Sequence, residues 1–182
     1  MIKAAKQIAY PLTGYFSKLV SDYLEANQNI VPFYTHPPNL EGIKEAIAAR
    51  NNFNTPRAAL VEALMVQYQS ISSTELVKAN IASLGLANTY TITSAHQPNL
   101  LTGPLYFIYK IAHTVALAKS LKKQIPEANF VPVYYMGSED ADLDELGFIT
   151  VGGQKLVWET NQKGAVGRML VDAKLIALIK QV

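Results

Sequence analysis

Apolar residues recur every three or four positions through most of the first 86 residues, in one central stretch and near the end of the chain. This spacing is typical of helices that bury one face. Thr13, Asn39, the pair Thr55-Pro56, and Ser73 or Thr74 are suitable starting residues for the first four. The pattern predicts helices over about 13–27, 39–51, 55–69, 73–85, 100–125 and 169–182, with a proline-rich loop at 28–38.

Two stretches with strand character flank the central helix. The first is NTYTITSA, at 88–95, and the second is the nearly all-apolar NFVPVYYMG, at 129–137. A strand, a crossover helix and a second strand predict one βαβ unit whose parallel strands are buried on both faces. The segment FITVGGQKLVWE that follows predicts a hairpin turning at Gly152-Gly153.

These elements predict an α/β protein with two regions. Residues 1–86 form a helical region expected to pack on the core, and residues 87–182 form the first part of an α/β domain. The last helix ends without a glycine, asparagine or proline terminator, and a sheet of two parallel strands is small. We therefore expect the sequence to be the N-terminal piece of a longer protein, truncated at its C-terminus.

Composition excludes several classes of function. The chain has no cysteine, which rules out disulfides and thiolate chemistry. Its net charge of +2, with 16% charged residues, lacks the basic stripe of a nucleic-acid-binding protein. No apolar run approaches the length of a signal peptide or a membrane span. The composition agrees with a cytoplasmic protein that binds neither nucleic acid nor membrane.

The first candidate site follows the first predicted strand. A histidine before a helix start can donate hydrogen bonds to anionic groups, and the first backbone amides of the helix add to the positive potential. Gly103 would permit close backbone approach. The alternative is that Asn99 and Thr102 only cap the helix while His96 bonds a loop carbonyl. The residues concerned are His96, Gln97, Asn99, Thr102 and Gly103.

The second candidate site follows the second predicted strand. Five carboxylates within seven residues, from Glu139 to Glu145, repel one another unless a cation, basic side chains or water disperse their charge. Parallel strands end at the same edge of a sheet, so we expect His96 to meet Glu139, Asp140 and Asp142 there. The alternative is an acid-rich helix start capped by Ser138. The spacing fits a calcium loop poorly, and we assign no residue to a metal.

Arg168 lies in a turn flanked by glycines, where its guanidinium could reach an anion or remain a surface charge. Together, the motifs of the chain resemble those of the cysteine ligases of bacillithiol biosynthesis, the BshC family, in their N-terminal part. The matching residues are Gln97, Leu101-Thr102-Gly103-Pro104-Leu105-Tyr106, Tyr109-Lys110, Pro132-Val133-Tyr134-Tyr135, Ser138-Glu139-Asp140-x-Asp142-x-Asp144-Glu145 and Gly167-Arg168.

The resemblance implies a Rossmann-like parallel sheet akin to nucleotidyltransferases and, in complete members, a small additional domain and a long coiled coil that pairs two subunits. It implies addition of L-cysteine to glucosaminyl-malate. The expected catalytic residues are His96, Glu139, Asp140 and Asp142, and the expected substrate-binding residues are Gln97, Asn99, Thr102, Gly103, Ser138 and Arg168. The cofactor stays open, with ATP and magnesium suggested by analogy.

Two departures from the family pattern affect the site. Many members have Gln-Gln-x-Gly where this chain has His96-Gln97-Pro98-Asn99, and Glu-Asp-His-Asp where it has Glu139-Asp140-Ala141-Asp142. If the two loops face each other, His96 would place its imidazole in the pocket that the family histidine occupies. A nucleotidyltransferase with another acceptor and a non-catalytic ligand-binding or assembly domain are the competing interpretations.

Overall fold

The computed structural model describes residues 6–137 and 142–182. The chain divides into two compact units, Met1–Pro56 and Arg57–Val182. None of the helices within the described ranges combines the length and apolar character needed to cross a membrane. The division at 86 between a helical region and an α/β domain stays a prediction.

The first unit is helical. Its helices are α1 (Tyr10–Thr13), α2 (Lys18–Leu24), a 3-10 turn (Val31–Phe33) and α3 (Leu40–Asn51). Asn39 caps α3 as predicted, because its side chain accepts a hydrogen bond from Gly42 N. The single helix predicted over 13–27 is wrong. Gly14 adopts a left-handed φ of 70°, which ends α1, and Ser17 caps a separate helix through Val20 N.

The second unit contains the α/β structure. Its elements are α4 (Arg57–Tyr68), α5 (Glu75–Ser83), β1 (Thr89–His96), α6 (Leu105–Gln124), β2 (Asn129–Met136), α7 (Leu143–Leu146), β3 (Phe148–Val151), β4 (Gln154–Val157), a 3-10 turn (Val166–Arg168) and α8 (Ala173–Ile179). Strands β1 and β2 pair in parallel, so the predicted βαβ unit is confirmed. Strands β3 and β4 form the predicted hairpin, with Gly152 and Gly153 at positive φ in its turn.

The parallel sheet is covered on one face. Helix α6 packs against β1 and β2, and the residues buried on this side include Ala118, Leu121 and Phe130, whereas the neighbouring Val131 is buried on the opposite face of β2. On β1 the alternate residues Thr91, Thr93 and Ala95 are exposed. The prediction that both faces are buried is therefore wrong for the described residues, because the crossover helix can shield only the face over which it passes.

A second apolar cluster lies beyond the hairpin. Trp158, Leu175 and Leu178 are buried together, and Leu100 and Leu143 pack against them among others. Leu100 belongs to the loop after β1 and Leu143 begins α7. Leu100 N also donates to Leu146 O at 2.9 Å. These contacts hold the loop after β1 against α7 and thereby bring two sequence-distant segments together.

Candidate functional site

The site is built around the end of β1. His96 is the last residue of that strand and pairs with Met136, the last residue of β2. Its carbonyl oxygen accepts hydrogen bonds from Gly137 N at 3.1 Å and from the Tyr134 hydroxyl at 3.2 Å. Its side chain is only 5% exposed. The imidazole is therefore a fixed part of the sheet edge.

One side of the imidazole faces a tyrosine and a carboxylate. His96 Nε2 lies 2.5 Å from the hydroxyl of Tyr106, in the first turn of α6, and 3.3 Å from Glu145 Oε1, in α7. The Tyr106 hydroxyl donates its proton to the same Glu145 oxygen. Since that proton is used, the Tyr106 oxygen accepts from His96, which requires a proton on Nε2.

The other side of the imidazole faces Asn99. Asn99 Nδ2 lies 3.2 Å from His96 Nδ1 and 3.2 Å from the carbonyl oxygen of Gln97. His96 Nδ1 also lies 3.1 Å from the Gln97 carbonyl oxygen, so it donates to that carbonyl when protonated and accepts from the Asn99 amide when it is not. Asn99 and Tyr106 thus hold the ring from opposite sides. Asn99 Oδ1 is buried without a hydrogen-bond partner among the described residues.

A tight turn sets the position of Asn99. Gly103 N donates to Leu100 O at 2.9 Å, and both Leu101 and Gly103 have positive φ. A Cβ on Gly103 would lie 2.7 Å from Asn99 Cγ and Oδ1. Glycine is needed here because the Asn99 side chain occupies the space of that Cβ. Pro104 precedes α6 without a side-chain cap, so the part of the alternative in which Asn99 and Thr102 cap this helix is wrong. Its other part agrees with the structure, because His96 Nδ1 lies 3.1 Å from the loop carbonyl of Gln97.

The electrostatics of the site follow from the same contacts. The Tyr106 hydrogen bond, followed by contacts with His96 and Asp142, lowers the pKa of Glu145. Partial burial, the hydrogen bond to Glu145, and the Glu145 and Asp142 charges raise the pKa of Tyr106 to about 12. Glu145 is therefore an ionised carboxylate and Tyr106 a protonated hydroxyl at neutral pH.

Further side chains surround the Tyr106 ring. Lys110 Nζ lies 5.3 Å from the ring centroid of Tyr106 and donates to Ala95 O at 3.3 Å. Phe107 contacts the His96 ring edge-on, with ring centroids 6.0 Å apart, and Tyr134 packs edge-on against Phe107. A cation and an aromatic wall therefore border the hydrogen-bonded group.

The predicted site residues are distributed unequally. His96, Gln97, Asn99 and Gly103 lie in the loop just described, and Asp142 caps α7 by accepting from Glu145 N at 3.3 Å. Thr102 is exposed in the turn, and Arg168 is exposed at the end of the 3-10 turn. Ser138, Glu139 and Asp140 lie outside the described residues, so their meeting with His96 stays a prediction.

Sequence reasoning missed the two direct partners of the imidazole, Tyr106 and Glu145. Both stood in motifs that had been recognised, the helix start and the acidic run, yet neither was assigned to the site. The available signal was the position of Tyr106 in the first turn after the His96 loop. For Glu145 the signal was the apolar pair Leu143 and Leu146, which indicates a helical turn that orients the intervening acids.

The exposed part of the site consists of a phenol and a carboxylate, which can hydrogen-bond a small polar ligand. Within residues 6–137 and 142–182 no group of three or more histidine, aspartate or glutamate side chains is placed to hold a metal ion. Tyr106 and Glu145 reach the surface, with the Glu145 side chain 38% exposed, whereas His96 is buried behind them. A ligand at this edge would meet the carboxylate and the phenol first.

Comparison with known proteins gives one consistent result. The family model described as "Bacillithiol biosynthesis BshC, N-terminal Rossmann-like domain" matches residues 4–182. A protein of Flavobacterium johnsoniae, named as a proposed cysteine ligase, BshC, is 46% identical over 167 residues, which cover 91% of this chain and 32% of that protein. The protein of the same name from Flavobacterium psychrophilum is 47% identical over 89% of this chain and 31% of its own length. The one from Bacillus cytotoxicus is 30% identical over 84% of this chain and 27% of its own length. The chain spans about a third of the length of these curated relatives.

Proposed function

The chain belongs to the BshC family of bacillithiol biosynthesis, as its N-terminal Rossmann-like domain, and on that premise we propose that it forms part of a ligase that joins L-cysteine to glucosaminyl-malate. The observation that carries the proposal is the family match over residues 4–182, which includes both loops of the candidate site. The bond formed would be an amide between the cysteine carboxyl group and the amino group of the sugar.

The pocket is proposed at the edge of the sheet where β1 and β2 end. Gln97, Asn99 and the amides near Thr102 and Gly103 would contact anionic groups of the substrates, as would Arg168. Ser138, Glu139, Asp140 and Asp142 would hold amino or hydroxyl groups. The fixed position of His96 supports this placement, since a side chain held from two sides is suited to orienting neighbouring groups.

The reaction requires an activating co-reactant. Joining a carboxylate and an ammonium group to form an amide expels one water molecule, from a carboxylate oxygen and two ammonium protons. This condensation is unfavourable in aqueous solution. We propose that a nucleoside triphosphate such as ATP transfers its adenylyl group to the cysteine carboxylate and releases pyrophosphate. The unprotonated amine then attacks the carbonyl carbon and the C–N bond forms. AMP leaves with the carboxylate oxygen and the electron pair of the C–O bond, and the nitrogen releases one proton to solvent.

The direct experiment supplies the whole natural protein with L-cysteine, glucosaminyl-malate and ATP and searches for the amide product by mass spectrometry. Product that depends on all three compounds, with AMP and pyrophosphate released, is expected. Pyrophosphate release with a different acceptor would instead favour a nucleotidyltransferase, and binding without turnover would favour a ligand-binding domain. Either result contradicts the proposed function.

A matched pair of histidine variants tests the location. His96→Ala removes the buried imidazole, and we expect a large loss of turnover. His113→Ala changes an exposed histidine on α6 and should leave turnover close to that of the natural protein. Circular dichroism on both variants checks the fold. Equal activity of a folded His96→Ala protein would place the site elsewhere.

Two properties of the whole enzyme complete the proposal. We propose that it is a cytoplasmic homodimer, by the same family membership. Light scattering on the natural protein measures its mass in solution, and cell fractionation locates it. A monomer, or protein recovered with the membrane fraction, would contradict the respective part.

A further inference from the structure

The side chains at the end of β1 form a hydrogen-bonded series that begins in the interior. His96 is buried, whereas Tyr106 and the Glu145 side chain both reach the surface, at 39% and 38% exposed. Each bonds to the next, because His96 Nε2 lies 2.5 Å from the Tyr106 hydroxyl and Tyr106 donates to Glu145 Oε1. A ligand can therefore reach both the phenol and the carboxylate, and of these two groups the carboxylate carries the charge.

The contacts also give a direction to the protons beside the carboxylate. Tyr106 donates to Glu145 Oε1, and His96 donates from Nε2 towards the Tyr106 hydroxyl oxygen and Glu145 Oε1. Asn99 Nδ2 and the Gln97 carbonyl oxygen lie beside Nδ1 and keep the ring from turning. Two donors converge on Glu145 Oε1, so the carboxylate is held in one orientation as an anion.

We infer that Glu145 binds the α-ammonium group of the cysteine substrate, with Tyr106 and His96 as positioning residues behind it. The inference rests on the proposed function and names the substrate group that this carboxylate meets. A fixed carboxylate recognises an ammonium group through a charge-assisted hydrogen bond, which is stronger than a neutral one.

The reaction distinguishes the two amino groups that the carboxylate could bind. The amine of the sugar must be unprotonated when it attacks, so its partner should be a base with a pKa near the working pH. The α-ammonium of cysteine takes no part in the bond and can stay charged. Glu145 suits the second task, since its hydrogen bond from Tyr106 lowers its pKa and makes it a weak base.

The test compares two ligands on the whole natural protein by calorimetry. L-cysteine and 3-mercaptopropionate share the thiol and the carboxylate, and only cysteine has the amino group. We expect the natural protein to prefer cysteine by about tenfold or more, as for a hydrogen bond between charged groups. Glu145→Gln keeps the shape of the side chain and should abolish the preference, whereas the neighbouring, exposed Asp144→Asn should preserve it.

Positioning by His96 and Tyr106 has its own readout. His96→Gln can still donate towards Tyr106 and should retain much of the preference, whereas His96→Ala and Tyr106→Phe should reduce it. The expected kinetic signature is a raised KM for cysteine with the KM for glucosaminyl-malate unchanged. A merely structural role would change both KM values.

Failure of the inference is separable from failure of the proposed function. If Glu145→Gln keeps the preference for cysteine, or weakens the binding of glucosaminyl-malate instead, the inference is overturned even when the amide product forms. A natural protein that shows no preference, or binds neither ligand, also overturns it. A preference that depends on Glu145 in a protein that forms no amide product supports the inference and contradicts the proposed reaction.

Discussion

Trp158 donates its indole N–H to Asp172 Oδ1 at 2.9 Å, and this hydrogen bond ties the chain after the β3–β4 hairpin to the start of α8. The same carboxylate oxygen accepts from Leu175 N at 2.8 Å and so caps the helix. Trp158 is buried in the cluster with Leu175 and Leu178. One aspartate therefore satisfies both a buried indole and a helix end.

Asp172→Ala should destabilise this cluster, because the indole N–H and the Leu175 amide lose their acceptor together. Trp158 is the only tryptophan of the 182 residues, so its fluorescence follows unfolding of the cluster. We expect a lower urea midpoint for Asp172→Ala and a smaller decrease for Asp172→Asn, which keeps an acceptor oxygen. The exposed Glu159→Gln is the control and should match the natural chain.

The stabilisation by Asp172 should also depend on pH. The hydrogen bonds from Leu175 and Trp158 lower its pKa in the folded chain. A carboxyl group of this kind contributes stability above its unfolded pKa of about 3.9 and loses it as the pH falls through the folded value. The difference in midpoint between the natural chain and Asp172→Asn should therefore be constant above about pH 5 and vanish in acid.

Arg57 should stabilise the approach to β1. Its Nη1 donates to Leu84 O and Thr89 O, each at 3.0 Å, and its Nη2 donates to Ala87 O at 3.2 Å. We expect Arg57→Ala to lower the free energy of unfolding by about 2 kcal/mol. Arg57→Lys should recover only part, because an ammonium group lacks the planar fork. Denaturant titration measures both.

A second arginine controls for the loss of a charge. Arg50 donates to the Thr55 hydroxyl and lies over the Phe53 ring, both in exposed positions. Arg50→Ala should cost about 0.5 kcal/mol or less. If Arg50→Ala and Arg57→Ala lower the free energy of unfolding by similar amounts, the three hydrogen bonds from Arg57 to carbonyl oxygens do not have the stabilising role proposed for them.

The sequence was sufficient to predict the α/β topology. Strands β1 and β2 are rich in β-branched and aromatic residues, and a twenty-residue helix separates them, which leaves a parallel crossover as the natural arrangement. Local capping chemistry also predicted α3 and α5 through Asn39 and Thr74. The prediction of one helix over 13–27 failed at residues 13–17. The apolar spacing continues across Gly14, although the backbone there adopts a left-handed conformation.

The site was less predictable for a physical reason. Gly103 next to Asn99, or Asp142 at a helix start, can be interpreted within one segment. The contact between Tyr106 and Glu145 joins residues 39 positions apart and depends on how α6 and α7 pack around the end of β1. No periodicity or motif encodes such a meeting in a single sequence, so the prediction names Glu139, Asp140 and Asp142 from the acidic run and does not include Glu145.

Glu145 should make the stability of the site pH-dependent in the acid range. Its pKa in the folded chain is lowered, first by the Tyr106 hydrogen bond and also by His96. Its contribution is therefore complete above the unfolded pKa of about 4.3 and is lost as the pH falls through the lower folded value. Unfolding of the natural chain and Glu145→Gln at a series of pH values should show this difference. Asp144→Asn keeps Glu145, so its stability should follow the same pH dependence as that of the natural chain. In carboxyl-carbon NMR titrations, Tyr106→Phe should raise the pKa of Glu145.

Two glycines with the same φ allow the cost of backbone strain to be measured separately from that of a steric clash. Gly103 and Gly152 both have φ of 57°. A Cβ on Gly152 would meet no atom within 4 Å, whereas on Gly103 it would lie 2.7 Å from the Asn99 side chain. Gly152→Ala should cost about 1 kcal/mol for the left-handed conformation. Gly103→Ala should cost about 2–4 kcal/mol, because Asn99 must also move.

The variants Gly103→Ala and Gly152→Ala can also be compared by the protonation of the His96 imidazole. When Asn99 is displaced, Nδ1 loses one of its two hydrogen-bonding neighbours and keeps the Gln97 carbonyl oxygen, which favours a proton on Nδ1. Nitrogen NMR of labelled histidine should detect protonation at Nε2 in the natural chain and in Gly152→Ala, and a mixture of both tautomers in Gly103→Ala. An unchanged tautomer in a folded Gly103→Ala chain would show that Tyr106 and Glu145 hold the ring without help from Asn99.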